Sequence, residues 1–113
     1  MEISERTEGG ADVIRLSGRL DAYAANDLEQ KLNSLISAKQ ICLVLDLKEM
    51  DYISSSGLRV FLATLKSVTK QKGDIRLACL QSSVKEVFEL SGFTQMFKMF
   101  DSVEDAVKSF DES

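Results

Sequence analysis

Ile41-Cys-Leu-Val-Leu-Asp-Leu47 leads through Lys48-Glu-Met-Asp-Tyr-Ile53 into Ser54-Ser-Ser-Gly-Leu-Arg-Val-Phe-Leu62. The first segment is nearly unbroken apolar, short, and flanked by polar residues, as expected of a central strand covered on both faces. Lys48 to Ile53 reads as a polar loop. Beyond it, Leu58, Phe61, Leu62, Leu65 and Val68 recur at three- and four-residue steps and mark the apolar stripe of a helix. That helix starts at the triple serine and runs to Lys72-Gly73, where glycine supplies a left-handed stop. Outward from this stretch the periodicity keeps switching between strand-like and helix-like, the alternation of helices packed on a sheet, so the fold class is α/β.

Upstream, Ile3 to Thr7 and Val13 to Ser17 flank the turn signal Gly9-Gly10 and read as an opening hairpin. Ala25, Leu28, Leu32, Leu35 and Ile36 place a stripe on a helix from Ala24 to about Ala38, with Asp21 ahead of it as a cap or first-turn acid. Downstream, Asp74 to Leu80 is another strand. Ser83-x-x-Glu86 has the form of a capping box ahead of Val84, Val87 and Phe88, and Gly92 terminates that short helix. Met96 to Phe100 reads as an edge strand. Phe93, Met96, Phe97, Met99 and Phe100 are expected to serve core and edge packing rather than a sticky surface. Ser102 with Asp105 opens a last helix with Val103, Ala106, Val107 and Phe110 on its apolar face. The predicted order is ββαβαβαβα, a mixed central sheet with four helices. Proline is absent and every loop is short, so neither a linker nor a repeat divides the chain.

A length of 113 residues leaves room for one domain, spanning 1–113, and 44% hydrophobic with 28% charged residues is the balance of a globular one. Fourteen Lys plus Arg against eighteen Asp plus Glu give a net charge of -4, the wrong sign for a partner held by phosphate backbones, so nucleic acid is not expected as a partner. The absence of histidine removes the commonest metal ligand and the usual general base, and two cysteines cannot close a metal site alone. No catalytic residues, no metal and no cofactor are expected. Cys42 and Cys79 lie in apolar runs and are expected to be buried and reduced. No stretch approaches the ~20 apolar residues of a membrane span, and Met1 to Gly10 carries no apolar signal segment. The expected address is the cytoplasm, away from the membrane.

One serine at a helix start is explained by capping, because its side-chain oxygen accepts a first-turn N–H. Three followed by Gly57 exceed that need and leave hydroxyls beside the partly positive helix end. The residues around Ser55 do not form a Gly-x-Ser-x-Gly nucleophile elbow. A Gly-x-x-x-x-Gly-Lys-Ser phosphate loop and a dinucleotide glycine fingerprint are absent too. A serine so placed is a poor catalyst and a better substrate. Phosphorylation would add about -1.5 to -2 charges where unpaired N–H groups favour an anion. The helix is expected to persist, and the effect to be a change in what docks there.

Gly18-Arg-Leu-Asp21, Leu43-Val-Leu-Asp46 and Ile53-Ser-Ser-Ser-Gly-Leu58 resemble the STAS domain of bacterial anti-sigma factor antagonists, and the resemblance spans nearly the whole chain. It implies a domain that, unphosphorylated, binds an anti-sigma factor with serine kinase activity and so frees the sigma factor. Phosphorylation of one serine ends that complex, and a phosphoserine phosphatase resets it. In the resembling family the acceptor lies two positions before the glycine, which is Ser55 here, with Ser54 and Ser56 as alternates. The family usually carries aspartate where this chain has Ser54. Asp21 would lie beside the acceptor loop, either as partner surface or as a helix cap. Ala22 and Tyr23 would add contact area or pack inward. Arg59, in a first turn where a cation opposes the dipole, would stay solvated or meet a partner carboxylate or a phosphate on Ser55. The implied partner-binding set is Asp21, Ala22, Tyr23, Ser54, Ser56, Gly57, Leu58 and Arg59. A second reading keeps the fold without the switch: a scaffold or regulatory subunit, for example of a transport system, in which the serines only cap the helix.

Overall fold

The computed structural model describes residues 1–111, and the last two positions of the expected 1–113 domain lie outside the described residues. In chain order the elements are β1 (Glu2–Glu8), β2 (Ala11–Leu20), α1 (Ala22–Ser37), β3 (Cys42–Asp46) and β4 (Met50–Ile53). They continue with α2 (Ser55–Lys70), β5 (Asp74–Ala78), α3 (Ser82–Leu90), β6 (Met99–Phe100) and α4 (Val103–Ser109). The main sheet runs β1-β2-β3-β5-β6, with β1 antiparallel to β2 and the other neighbours parallel. Gly9 and Gly10 both take positive φ, 54° and 85°, as the tight primed turn of this hairpin requires.

The unbroken apolar run of β3 has the expected cause. Leu43 and Leu45 join Ile14, Leu16, Ile75 and Leu77 in the core under α1, α2 and α3, whereas Val44 faces the other way with Ala11, Val13 and Ala78. Ala106 and Val107 of α4 cover that second face. Arg76 anchors α4: its guanidinium lies 4.0 Å over the Phe110 ring, donates to Ser109 Oγ at 2.6 Å and pairs with Asp74 at 3.0 Å. In the main core Phe61, Phe88 and Phe97 form a three-ring cluster with centroids 5.7 to 6.4 Å apart. This is the packing role expected of Phe97, while Met96 is 48% exposed.

Local expectations are corrected at five places, the first being the edge strand, which is Met99–Phe100 rather than Met96 to Phe100. The segment read as a loop contains β4, so the order is ββαββαβαβα. The capping box at Ser83 does not form. Ser83 lies inside α3, whose N-cap is Gln81, and the Gln81 amide instead donates to the Lys48 carbonyl at 2.8 Å. The left-handed residue after α2 is Lys72, φ 67°, rather than Gly73. Gly73 is required for room, because a Cβ there would run into the Ile41 carbonyl. Cys42 and Cys79 are half-buried rather than buried. Cys42 pairs in register with Asp74, and Cys79 lies five residues further on, just past the end of β5. Roughly 16 Å of strand rise therefore separates the two thiols, far beyond disulfide reach.

Candidate functional site

The missed strand builds the site. β2 outruns β3, and its last residues pair in parallel with β4, bringing Leu20 into register with Ile53. Each of these strand ends feeds a helix at once, α1 through Asp21 and α2 through Ser54. The Ser54 N–H donates to the Leu20 carbonyl at 2.9 Å, so the two helix N-termini open side by side.

Each opening is capped by its own first residue. Asp21 Oδ1 accepts from Ala24 N at 2.9 Å, and Ser54 Oγ accepts from Gly57 N at 3.1 Å. Ser54 is therefore the cap of α2, a duty that aspartate and serine perform about equally. Ser54→Asp is expected to keep unfolding free energy within about 0.5 kcal/mol, while Ser54→Ala costs about 1 kcal/mol, as urea titration would measure.

Ser55 is the first helical residue, exposed, and no hydrogen bond engages its hydroxyl among the described residues. Its neighbourhood is a shallow groove lined by Leu58, Arg59, Leu62, Ser91 and Phe93. Ser56 is half-buried and lines a separate groove of about 360 Å³ between α1 and α2, with Ala22, Asn26, Glu29 and Arg59. Arg59 is exposed and borders both. The first turn of α2 carries no acidic side chain, so the positive end of its dipole has no acid of that turn to offset it.

The rest of the expected set divides by burial. Tyr23 is 89% exposed, which excludes the packing role and leaves contact area. Asp21 and Ala22 are exposed beside it. Asp21 thus fills the cap role, and its side chain still meets solvent. Gly57 and Leu58 point inward. A Cβ on Gly57 would stand 2.7 Å from Leu20 Cδ2, and Leu58 is 8% exposed in the main core. They seat α2 on the two strand ends and present little surface. Two residues the sequence reading passed over stand next to the openings: Arg19 and Tyr52 are register partners, with the guanidinium 4.0 Å over the ring. Nothing marked them without knowledge of β4.

Other chemistry is sparse. Among the described residues no cluster of His, Cys, Asp or Glu is placed to hold a metal, and no helix is long and apolar enough to cross a membrane. Burial, with the Asp46 carboxylate adding to it, pushes the Cys79 thiol above its ordinary pKa, so it stays protonated and weakly nucleophilic near neutrality.

These features define an α/β domain that displays an unengaged serine at paired helix openings. Residues 2–106 match the STAS domain, and the chain belongs to that family. BtrV of Bordetella bronchiseptica, assigned as an anti-sigma factor antagonist, is 39% identical over 101 residues, covering 89% of this chain and 87% of BtrV. The anti-sigma-B factor antagonist of Listeria monocytogenes is 29% identical over 99 residues, covering 88% of this chain and 86% of its own. Among solved structures, the anti-sigma factor antagonist SpoIIAA in its unphosphorylated form aligns with a TM-score of 0.87 at 21% identity, over 99% of this chain and 98% of SpoIIAA. The phosphorylated form of SpoIIAA from Bacillus aligns with a TM-score of 0.77 at 21% identity, over 96% and 99%. The likeness to SpoIIAA shows a shared fold.

Proposed function

We propose that this chain is an anti-sigma factor antagonist switched off by phosphorylation of Ser55. The observation that carries this reading is the exposed, unengaged hydroxyl of Ser55 at the opening of α2, whose first turn holds no acid, directly beside the opening of α1. In the unphosphorylated state the surface around Asp21, Ala22, Tyr23, Ser56 and Arg59 docks an anti-sigma factor that is itself a serine kinase. Ser54, Gly57 and Leu58 hold that surface in shape. The sigma factor is thereby released, and the protein works by occupancy, with no chemistry of its own. A phosphate on Ser55 puts a dianion into the middle of the contact, where a partner matched to a neutral hydroxyl has no group to receive it. The fold persists, because an anion at a helix N-terminus is favourable to its own helix. A phosphoserine phosphatase restores the docking form. The cycle runs in the cytoplasm, where ATP and sigma factors are found. The scaffold reading needs the serines only as caps, and it leaves Ser55 without a role, since Ser54 alone caps α2.

Co-purification from native cells with phosphosite mapping tests this. The expected result is capture of an anti-sigma kinase by the unphosphorylated protein and one added phosphate, on Ser55, that Ser55→Ala removes. Absence of any phosphoform in both growth and stress would favour the scaffold.

A further inference from the structure

We infer that Arg59 is the counter-ion of the phosphate on Ser55, reaching back over it from the next turn of α2; this rests on the reading of Ser55 as the acceptor. Three observations converge. Residues 55 and 59 are four apart on one helix, which places their side chains on the same face, about 5–6 Å apart at Cβ. Helical side chains lean toward the N-terminus, so the long arm of Arg59 covers the turn that holds Ser55 rather than the turn beyond it. Both side chains line one groove, with Leu58, Leu62 and Phe93 as its apolar floor, and Arg59 forms no ion pair among the described residues. A cation in the first turns of a helix works against the dipole. With a dianion at the first helical position the same cation becomes favourable, through a charge-assisted, forked contact to the phosphate oxygens.

The pairing also changes the neighbouring groove. Among the residues lining the space between α1 and α2, Arg59 is the only cation and Glu29 the only anion. Drawing Arg59 onto the phosphate leaves that groove acidic, so one modification alters two adjoining parts of the surface.

The test needs no kinase. Phosphoserine is installed at position 55 of the full chain by genetic encoding, and its second ionisation is followed by phosphorus NMR against pH. The midpoint, ordinarily near pH 6, is expected to rise by about half a unit in Arg59→Gln. Arg59→Lys should recover part of the difference, and added salt should shrink it. Lys66→Gln is the control: that cation lies on the same face, roughly 16 Å further along the helix, and its removal should leave the midpoint in place. Coincident titrations of the wild type and Arg59→Gln would overturn the pairing, as would an equal shift in Lys66→Gln. Because the phosphate is installed without a kinase, failure to find a native kinase would defeat the functional reading and leave this result untouched.

Discussion

Ser55→Asp is expected to weaken capture of the anti-sigma partner by about a hundredfold or more, while its unfolding free energy stays within about 0.5 kcal/mol of the wild type. The two halves of this expectation have separate causes. An unmatched charge in a desolvated contact costs several kcal/mol, and each 1.4 kcal/mol is about tenfold in affinity. On the other side of the balance, an acid at the first helical position gains about 0.3–1 kcal/mol from the dipole, and α2 has no other acid in that turn. Calorimetric titration with the partner and urea unfolding of the free protein read the two effects independently. Equal affinity of Ser55→Asp and wild type would remove the basis of the switch. A loss of several kcal/mol in stability would instead mean that the opening of α2 does not accept charge. Comparison with Ser54→Asp sharpens the assignment, because that substitution keeps a capping oxygen where Ser54 has one.

The periodicity of Ile41 to Leu47 and the stripe from Leu58 to Val68 were enough to read the class and most elements, since both patterns report burial directly. β4 was not legible. Of its four residues only Met50 and Ile53 are buried, and Asp51 and Tyr52 are exposed, a pattern without the alternation of a strand. What makes it a strand is the overhang of β2: β3 pairs only with Asp12 to Arg15, which leaves Gly18 to Leu20 free to accept another neighbour. That is a matter of relative strand lengths, invisible in either segment alone. The meeting of Asp21 with the triple serine follows from this pairing, so without a structure it came only through the family resemblance. The same strand end decides which serine caps, since α2 must begin immediately after Ile53. The Ser83 motif shows the converse. It is locally well formed, yet α3 starts at Ser82, with Gln81 tied to the Lys48 carbonyl, and a tertiary contact has displaced the local signal.

Phe61→Ala should show the opposite signature to Ser55→Asp: about 3–5 kcal/mol lost in stability with partner affinity retained while the protein is folded. Phe61 is fully buried at the centre of the aromatic cluster, 6.0 Å from the Phe88 ring and 6.4 Å from the Phe97 ring. Truncation leaves a cavity bounded by two other large side chains that are themselves pinned, Phe88 by α3 and Phe97 by the segment before β6, so the site cannot collapse to fill it. Each lost ring contact adds about 0.5–1.5 kcal/mol to the transfer term. A domain of this size has about 5–15 kcal/mol in total, so the variant remains folded at 25 °C except near the bottom of that range. Its melting temperature should fall by about 10–20 °C. The openings of α1 and α2 are held by other contacts: the Leu20–Ile53 register, the Ser54 N–H on the Leu20 carbonyl, and Gly57 pressed onto Leu20. Titration of the partner well below the melting temperature should therefore give near wild-type affinity per folded molecule. A stability loss under about 1 kcal/mol would mean that the ring cluster is not the mechanical centre of the core. Affinity lost at a temperature where the variant is fully folded would mean that the core, and not the pairing of β2 with β4, sets the geometry of the docking surface.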